Sequence, residues 1–140
     1  ITVNGSMLIA TFTTLINGVY YTFTVVATNS VGDGAPSTPS SLVQAATVPG
    51  APTNVHATAG NAQATVTWSA PESTGGAAIT SYKVTANPGG QTATVGGATL
   101  TGTFSGLTNG TSYTFIVVAT NSVGESAPSS ASSGVTPVLI

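Results

Sequence analysis

Over residues 62–69 the apolar side chains of Ala64, Val66 and Trp68 alternate with Thr65, Thr67 and Ser69. A period of two sends successive side chains to opposite faces of an extended chain, so this segment predicts a strand with one face on a core and one in water. The same alternation runs through Tyr113, Phe115, Val117 and Ala119, with Thr114, Ile116, Val118 and Thr120 between them. Ile116 and Val118 are less polar than outward positions usually are, which predicts that they are partly covered. Ile79, Tyr82 and Val84, then Leu100, Gly102 and Phe104, supply further core-facing positions. Turn chemistry separates these runs at Pro71, Gly75-Gly76, Pro88-Gly89-Gly90, Gly96-Gly97 and Asn109-Gly110. Nothing follows a helical period. Short strands, frequent turns and abundant Thr and Val predict an all-β, antiparallel sandwich.

The pattern also repeats at long range. Thirteen of the sixteen residues at 17–32 recur at 109–124, an offset of 92 residues. A unit of about 90 residues is too long for a solenoid repeat and matches a small independent domain. The second unit is therefore expected to be complete and the first to be the C-terminal part of the same unit. Residues 48–52, Val-Pro-Gly-Ala-Pro, divide them, with two prolines that fix φ and remove two donors. This stretch reads as a short, semi-rigid joint, setting the domains at 1–48 and 49–140. Just after it, residues 53–57 read as an edge strand with Val55 and Ala57 inward and His56 outward.

Composition narrows the partners. Charged residues are 3% of the chain, against about a quarter in ordinary soluble domains. One Lys, no Arg and three acids (Asp33, Glu72, Glu125) leave a formal charge of −2, which offers no field to steer a polyanion, so nucleic acid is not an expected partner. Apolar residues reach 41%, yet no run approaches the roughly 18 that a membrane helix needs, and no membrane insertion is expected. Neither end shows the basic, apolar and small-residue succession of a signal peptide. Cysteine is absent, so disulfides and thiolate metal sites are excluded and packing must hold each unit together.

Pro52, Trp68 and Pro71, followed by Tyr82, Leu107, Tyr113, Val117, Ala119, Asn121, Gly124 and Pro128, closely resemble the fibronectin type III module, especially the Gly-, Ser- and Thr-rich versions of secreted bacterial proteins. The likeness covers about residues 49–137, and again about 8–46. It implies an immunoglobulin-like sandwich of seven strands, with A, B and E facing C, C′, F and G. Trp68 is then the buried strand-B tryptophan, and Leu107 with Tyr113 the tyrosine corner. The first copy keeps Leu15 and Tyr21 at matching positions and corresponds to strands C′, E, F and G, without A, B and C. The resemblance also implies an extracellular or cell-surface location. The integrin-binding tripeptide that some relatives carry is missing from the loops at 29–35 and 121–127, since the chain has no Arg. Gly32 and Gly124 in those loops are expected to supply a positive φ.

The physical roles of the aromatic residues stand beside that likeness. With no disulfide between sheets, a large ring must fill the space, and burying Trp68 is expected to contribute about 3 kcal/mol or more relative to Ala. Tyr113 can bury its ring while its hydroxyl bonds a backbone group near the preceding turn.

No catalytic, cofactor-binding or metal-binding residue is assigned. Glu72 and Glu125 fall in loops at one end of such a sandwich, but two acids supply too few oxygens for calcium without backbone help. His56, the single histidine, lacks the orienting acid and nucleophile of a triad. The glycine pairs do not open helices and so read as turns rather than phosphate cradles. Asn4-Gly5-Ser6 and Asn109-Gly110-Thr111 fit the N-glycosylation pattern, though Asn-Gly is independently favoured in turns. Ser and Thr near Pro36, Pro39 and Pro128 leave O-linked sugar open on composition.

In the first unit, Leu8, Ala10 and Phe12 on one strand and Tyr21, Phe23, Val25 and Ala27 on the next would form an apolar face with free edges, which a second chain or upstream residues should cover. Three functional readings follow. The first is a non-catalytic spacer positioning neighbouring domains of a secreted or cell-surface protein. The second is a glycan- or protein-binding module, for which Tyr20 is the outward aromatic. The third is a fibre or array subunit, self-associating through strand exchange at the first unit.

Overall fold

The computed structural model describes residues 1–140 and contains eight strands and no helix. The chain forms two compact units, Ile1–Ala46 and Thr47–Ile140. In the second unit β3 (Thr53–Gly60), β4 (Gln63–Ser69) and β7 (Thr101–Ser105) make one sheet in the order β3-β4-β7. β6 (Thr92–Gly96), β5 (Ser81–Asn87) and β8 (Thr114–Thr120) make the other in the order β6-β5-β8. Every pairing is antiparallel. β3 is an edge strand, and Val55 and Ala57 face inward while His56 is exposed.

The core lies where the alternation puts it. Ala64, Val66 and Trp68 of β4 meet Tyr82, Val84 and Ala86 of β5, with Phe104, Phe115, Val117 and Ala119 completing the layer. Aromatic pairs join the two sheets: Trp68 and Tyr82 have ring centroids 5.5 Å apart, and Phe104 and Phe115 5.0 Å. Tilted contacts at these separations suit the ring quadrupoles. Gly102 on β7 lies against the indole, and a Cβ there would sit 3.7 Å from the Trp68 ring, at ordinary van der Waals contact. Ile116 and Val118 are half-buried, as their low polarity predicts. Leu100 departs from the pattern: it precedes β7 and is exposed, serving instead through its carbonyl, which accepts the Trp68 N–H at 3.2 Å.

A seventh extended segment lies beside β8 and is bonded in an unusual way. Ser126, Ser129 and Ser132 each donate a backbone N–H to the carbonyls of Ala119, Val117 and Phe115 respectively, at 2.8–2.9 Å. Each serine Oγ then accepts the N–H of that same β8 residue at 2.9–3.0 Å and donates to the carbonyl of the residue after the serine. An ordinary ladder matches two residues to two. Here three residues advance for every two of β8, so one backbone acceptor per step is replaced by a hydroxyl. A repeat of three is what a polyproline-II-like chain presents, and Pro128 suits it. All three serines are buried, so each side chain is needed to satisfy a buried N–H.

Residues 47–52 are bonded onto the second unit, whose compact body begins at Thr47. Thr47 N–H donates to the Gly75 carbonyl (2.8 Å) and Gly50 N–H to that of Ser73 (2.9 Å), while Pro49 and Pro52 are buried. Prolines remove donors only at their own positions, and the remaining groups find partners across the fold. Gly75 is essential to the docking. Its φ is +77°, and a Cβ would lie 2.2 Å from the Thr47 carbonyl oxygen.

The first unit retains β1 (Tyr20–Tyr21) and β2 (Val43–Gln44), paired antiparallel. Its serine bonding copies the second unit at the same offset: Ser37 and Ser40 exchange backbone and hydroxyl bonds with Val25 and Phe23. The alternating segments at 8–12 and 21–27 do not become a paired ladder, in contrast to the sequence expectation. A strand is defined by a bonded neighbour. The segment equivalent to β8 has the serine segment on one side and no counterpart of β5 on the other. Leu8 is wholly exposed, while Phe12 and Phe23 still touch, with centroids 5.0 Å apart.

Candidate functional site

The residues that carry chemistry are dispersed. Glu125 takes Lys83 at 3.0 Å, with both side chains well exposed, a pair worth little to stability but enough to occupy that carboxylate. Glu72 is exposed on its loop, and no group of three or more His, Cys, Asp or Glu side chains converges anywhere in the chain. Asp33, at the position equivalent to Glu125, accepts the Thr28 hydroxyl instead. His56 borders a groove with Pro52, Thr53 and residues Ser129 and Ser130 of the serine segment. Ser129 Oγ is committed there, accepting the Val117 N–H and donating to the Ser130 carbonyl, so it is not a free nucleophile for that histidine.

The best-built polar centre is structural and involves Asn121, which is 4% exposed. Its Nδ2 donates to the carbonyls of Thr47 and Thr74, both at 2.8 Å. Its Oδ1 accepts the N–H groups of Val123 (2.9 Å) and Gly124 (3.2 Å). A buried amide able to make four bonds makes all four. One side chain thus ties the incoming segment, the loop after β4 and the loop after β8. A Cβ at Gly124 would sit 3.4 Å from Val48, so the same loop also packs on that segment. Gly32 and Gly124 have the positive φ expected of them, 153° and 158°, a conformation that L side chains rarely adopt and that glycine supplies.

The tyrosine corner forms in both units. Tyr113 Oη accepts the Thr108 N–H at 3.1 Å, and Tyr21 Oη that of Ile16 at 3.0 Å. Asn109 does more than turn the chain: its Oδ1 accepts the Ala62 N–H (2.8 Å) and its Nδ2 donates to Asn61 Oδ1 (2.9 Å), clamping the loop before β8 onto the β3–β4 turn. Asn4 keeps its side chain on Ser6 within its own exposed turn. The serine bonding and the Asn121 staple escape a reading based on alternation. The signal for the first was the spacing of three in Ser126, Ser129 and Ser132, shared by Gly34, Ser37 and Ser40.

In the first unit the segment equivalent to β8 is bonded on its serine side. Along residues 22–28, Phe23, Val25 and Ala27 bond toward the serine segment. The N–H and C=O groups of Thr22, Thr24 and Val26 point the other way and have no partner in the protein. Beside this edge Val25 is 71% exposed, Phe12 44% and Tyr20 59%. Tyr20 is thus outward as its sequence position suggests, and Phe12 joins it.

Comparison with known proteins places these features in context. A family model described as the fibronectin type III domain matches residues 50–135. Among solved structures, a multi-domain crystal structure from titin is similar at 30% identity and a TM-score of 0.63, over 83% of this chain and 40% of that one. A structure of titin kinase with its flanking domains is similar at 32% identity and a TM-score of 0.57, over 66% of this chain and 18% of that one. The FN1–FN3 domains of chicken CNTN1 share the fold at 21% identity and a TM-score of 0.59, over 89% of this chain and 44% of that one. This chain spans less than half the length of each of the three.

Proposed function

The chain belongs to the fibronectin type III family, and on that footing we propose that it is a non-catalytic scaffold, a spacer that holds neighbouring domains of an extracellular or cell-surface protein at a set separation. The observation that carries this reading is the Asn121 staple. A spacer transmits position only if the chain enters each module along a fixed path, and Thr47 and Gly50 are held by backbone bonds while Asn121 grips the Thr47 carbonyl. Domains joined through flexible linkers move independently by default; a docked incoming segment removes that freedom at one end of the module. A surface with few charges also holds its properties across changes of salt and pH, which suits an outside location.

The test is a distance measurement on the intact chain. Spin labels at the exposed positions of Val48→Cys and Val138→Cys should give a narrow distribution by pulsed dipolar spectroscopy, and Asn121→Ala should broaden it. A broad distribution in the otherwise unaltered chain would defeat the spacer reading. A second reading, a glycan- or protein-binding module, draws on the exposed Tyr20 and Phe12; saturable calorimetric binding of a soluble cell-wall polysaccharide, lost in Tyr20→Ala, would favour it over the spacer.

A further inference from the structure

Five asparagines lie in the second unit, at positions 54, 61, 87, 109 and 121, and only Asn109 is followed by glycine. That pair is chemically unstable in a free chain. The glycine backbone nitrogen, once its proton passes to solvent, attacks the asparagine Cγ, and no Cβ beside it hinders the approach. A bond forms between that nitrogen and Cγ, the Cγ–Nδ2 bond breaks, and Nδ2 leaves, reprotonated, as ammonia. Water then opens the five-membered imide at either carbonyl, giving an aspartyl or an isoaspartyl residue. The reaction needs a glycine N–H free to lose its proton and a carboxamide free to turn Cγ toward it.

Both residues are exposed, so burial does not keep water from them. Bonding holds them instead. The Gly110 N–H donates to the Pro137 carbonyl at 2.8 Å. Asn109 Oδ1 accepts the Ala62 N–H (2.8 Å) and Nδ2 donates to Asn61 Oδ1 (2.9 Å), which fixes the carboxamide on the β3–β4 turn. The surrounding frame is tied as well: the Leu107 N–H donates to the Ala62 carbonyl at 3.0 Å, the Val138 N–H to the Gly60 carbonyl at 3.2 Å, and the Thr108 N–H to Tyr113 Oη at 3.1 Å. We propose that Asn109 is a self-modification site which this clamp keeps closed, so that conversion marks chains whose 61–62 and 107–110 segments have come apart. Three bonds, to partners 27 or more residues away, must open together before the imide forms. The mark is one-way. An isoaspartyl link routes the backbone through Cβ and Cγ and adds one atom to it, so Gly110 no longer meets Pro137 while the side chain meets Ala62. An aspartyl product sets an oxygen where Nδ2 had donated to Asn61.

The test incubates the 140-residue chain beside a synthetic peptide of residues 105–113 in mildly alkaline buffer. Proteolysis and mass spectrometry then resolve the asparaginyl, aspartyl and isoaspartyl forms at position 109. The chain should convert at least about tenfold more slowly than the peptide, because its reaction waits on local opening. Asn61→Ala releases Nδ2 at an exposed position and should speed conversion by about three- to tenfold, the worth of one hydrogen bond. Ser126→Ala removes the hydroxyl that accepts the Ala119 N–H, outside the clamp, and should leave the rate unchanged. In the isoaspartyl fraction the Ala62 amide should lose its protection from hydrogen exchange. Equal rates in chain and peptide would overturn the proposal, as would an unaltered rate in Asn61→Ala or retained protection of Ala62 after conversion. Equal acceleration by Ser126→Ala would overturn it too, by showing that global unfolding and not the clamp controls the reaction.

Discussion

The side-chain amide of Asn121 donates to the carbonyl of Thr47, 74 residues earlier in the chain, at 2.8 Å. With Thr74 as its second acceptor, it closes three separate segments around one buried group. Asn121→Ala leaves those carbonyls and two loop N–H groups without their partner, and should destabilise the second unit by about 2–3 kcal/mol in urea denaturation. Gly75→Ala attacks the same docking from the other side, by steric overlap with Thr47, and should release protection of the Thr47 and Gly50 amides in hydrogen exchange. If both variants keep those amides protected, the segment is not held as described.

Removing one serine hydroxyl from the seventh segment tests whether side chains truly substitute for backbone. Ser129→Ala strands the buried Val117 N–H, with an expected loss of about 1–3 kcal/mol. Ser130→Ala, one position away and exposed, should be neutral within about 0.5 kcal/mol. Thermal denaturation of the two variants side by side decides the matter, and equal midpoints would refute the role given to Ser129.

Tyr113 and Trp68 separate a bond from a volume. Tyr113→Phe deletes the bond from the Thr108 N–H and keeps the ring, so it should cost about 1 kcal/mol. Trp68→Ala empties the space between the sheets and should cost about 3–5 kcal/mol, enough to unfold a marginal module. The indole N–H makes no hydrogen bond with any protein group, so that loss is one of packing. Equilibrium denaturation should rank the two variants in this order.

Burial raises the pKa of the Tyr82 hydroxyl above its ordinary value of 10.0. The folded state then holds this proton more tightly than the unfolded chain does. Its contribution to stability is complete below about pH 10 and is lost as pH rises from there through the raised folded value. Melting temperatures should accordingly fall in the alkaline range, and Tyr82→Phe should fall less steeply; parallel declines would exclude Tyr82 as the cause.

Much of the second unit was legible because its core obeys a local rule. Ala64, Val66 and Trp68, like Phe115, Val117 and Ala119, face inward by alternation alone, and Tyr113 could be paired with its loop from the sequence. What escaped depends on partners distant in the chain. Residues 48–52 read as a semi-rigid joint because their prolines fix φ and remove donors, while the groups that dock Thr47 and Gly50 lie beyond residue 70. The serine bonding was hidden by a spacing of three where two was sought. Leu8, Ala10 and Phe12 show the converse: they have a strand's pattern, but pattern creates no strand where the neighbour is absent. The candidate site divided in the same way, with the outward Tyr20 visible in advance and the four bonds of Asn121 visible only in the folded chain.

The serine segment has a consequence for how these sheets can grow. A newcomer strand offers its amides at intervals of two, whereas the outer rim laid down by Ser126, Ser129 and Ser132 advances by three, so the two fall out of step after a single contact. That rim is a stop, built into both units from hydroxyl groups in a chain almost devoid of the charges that usually guard sheet borders. The stride of three therefore sets this border apart from an ordinary strand edge, whose bonding groups recur every second residue.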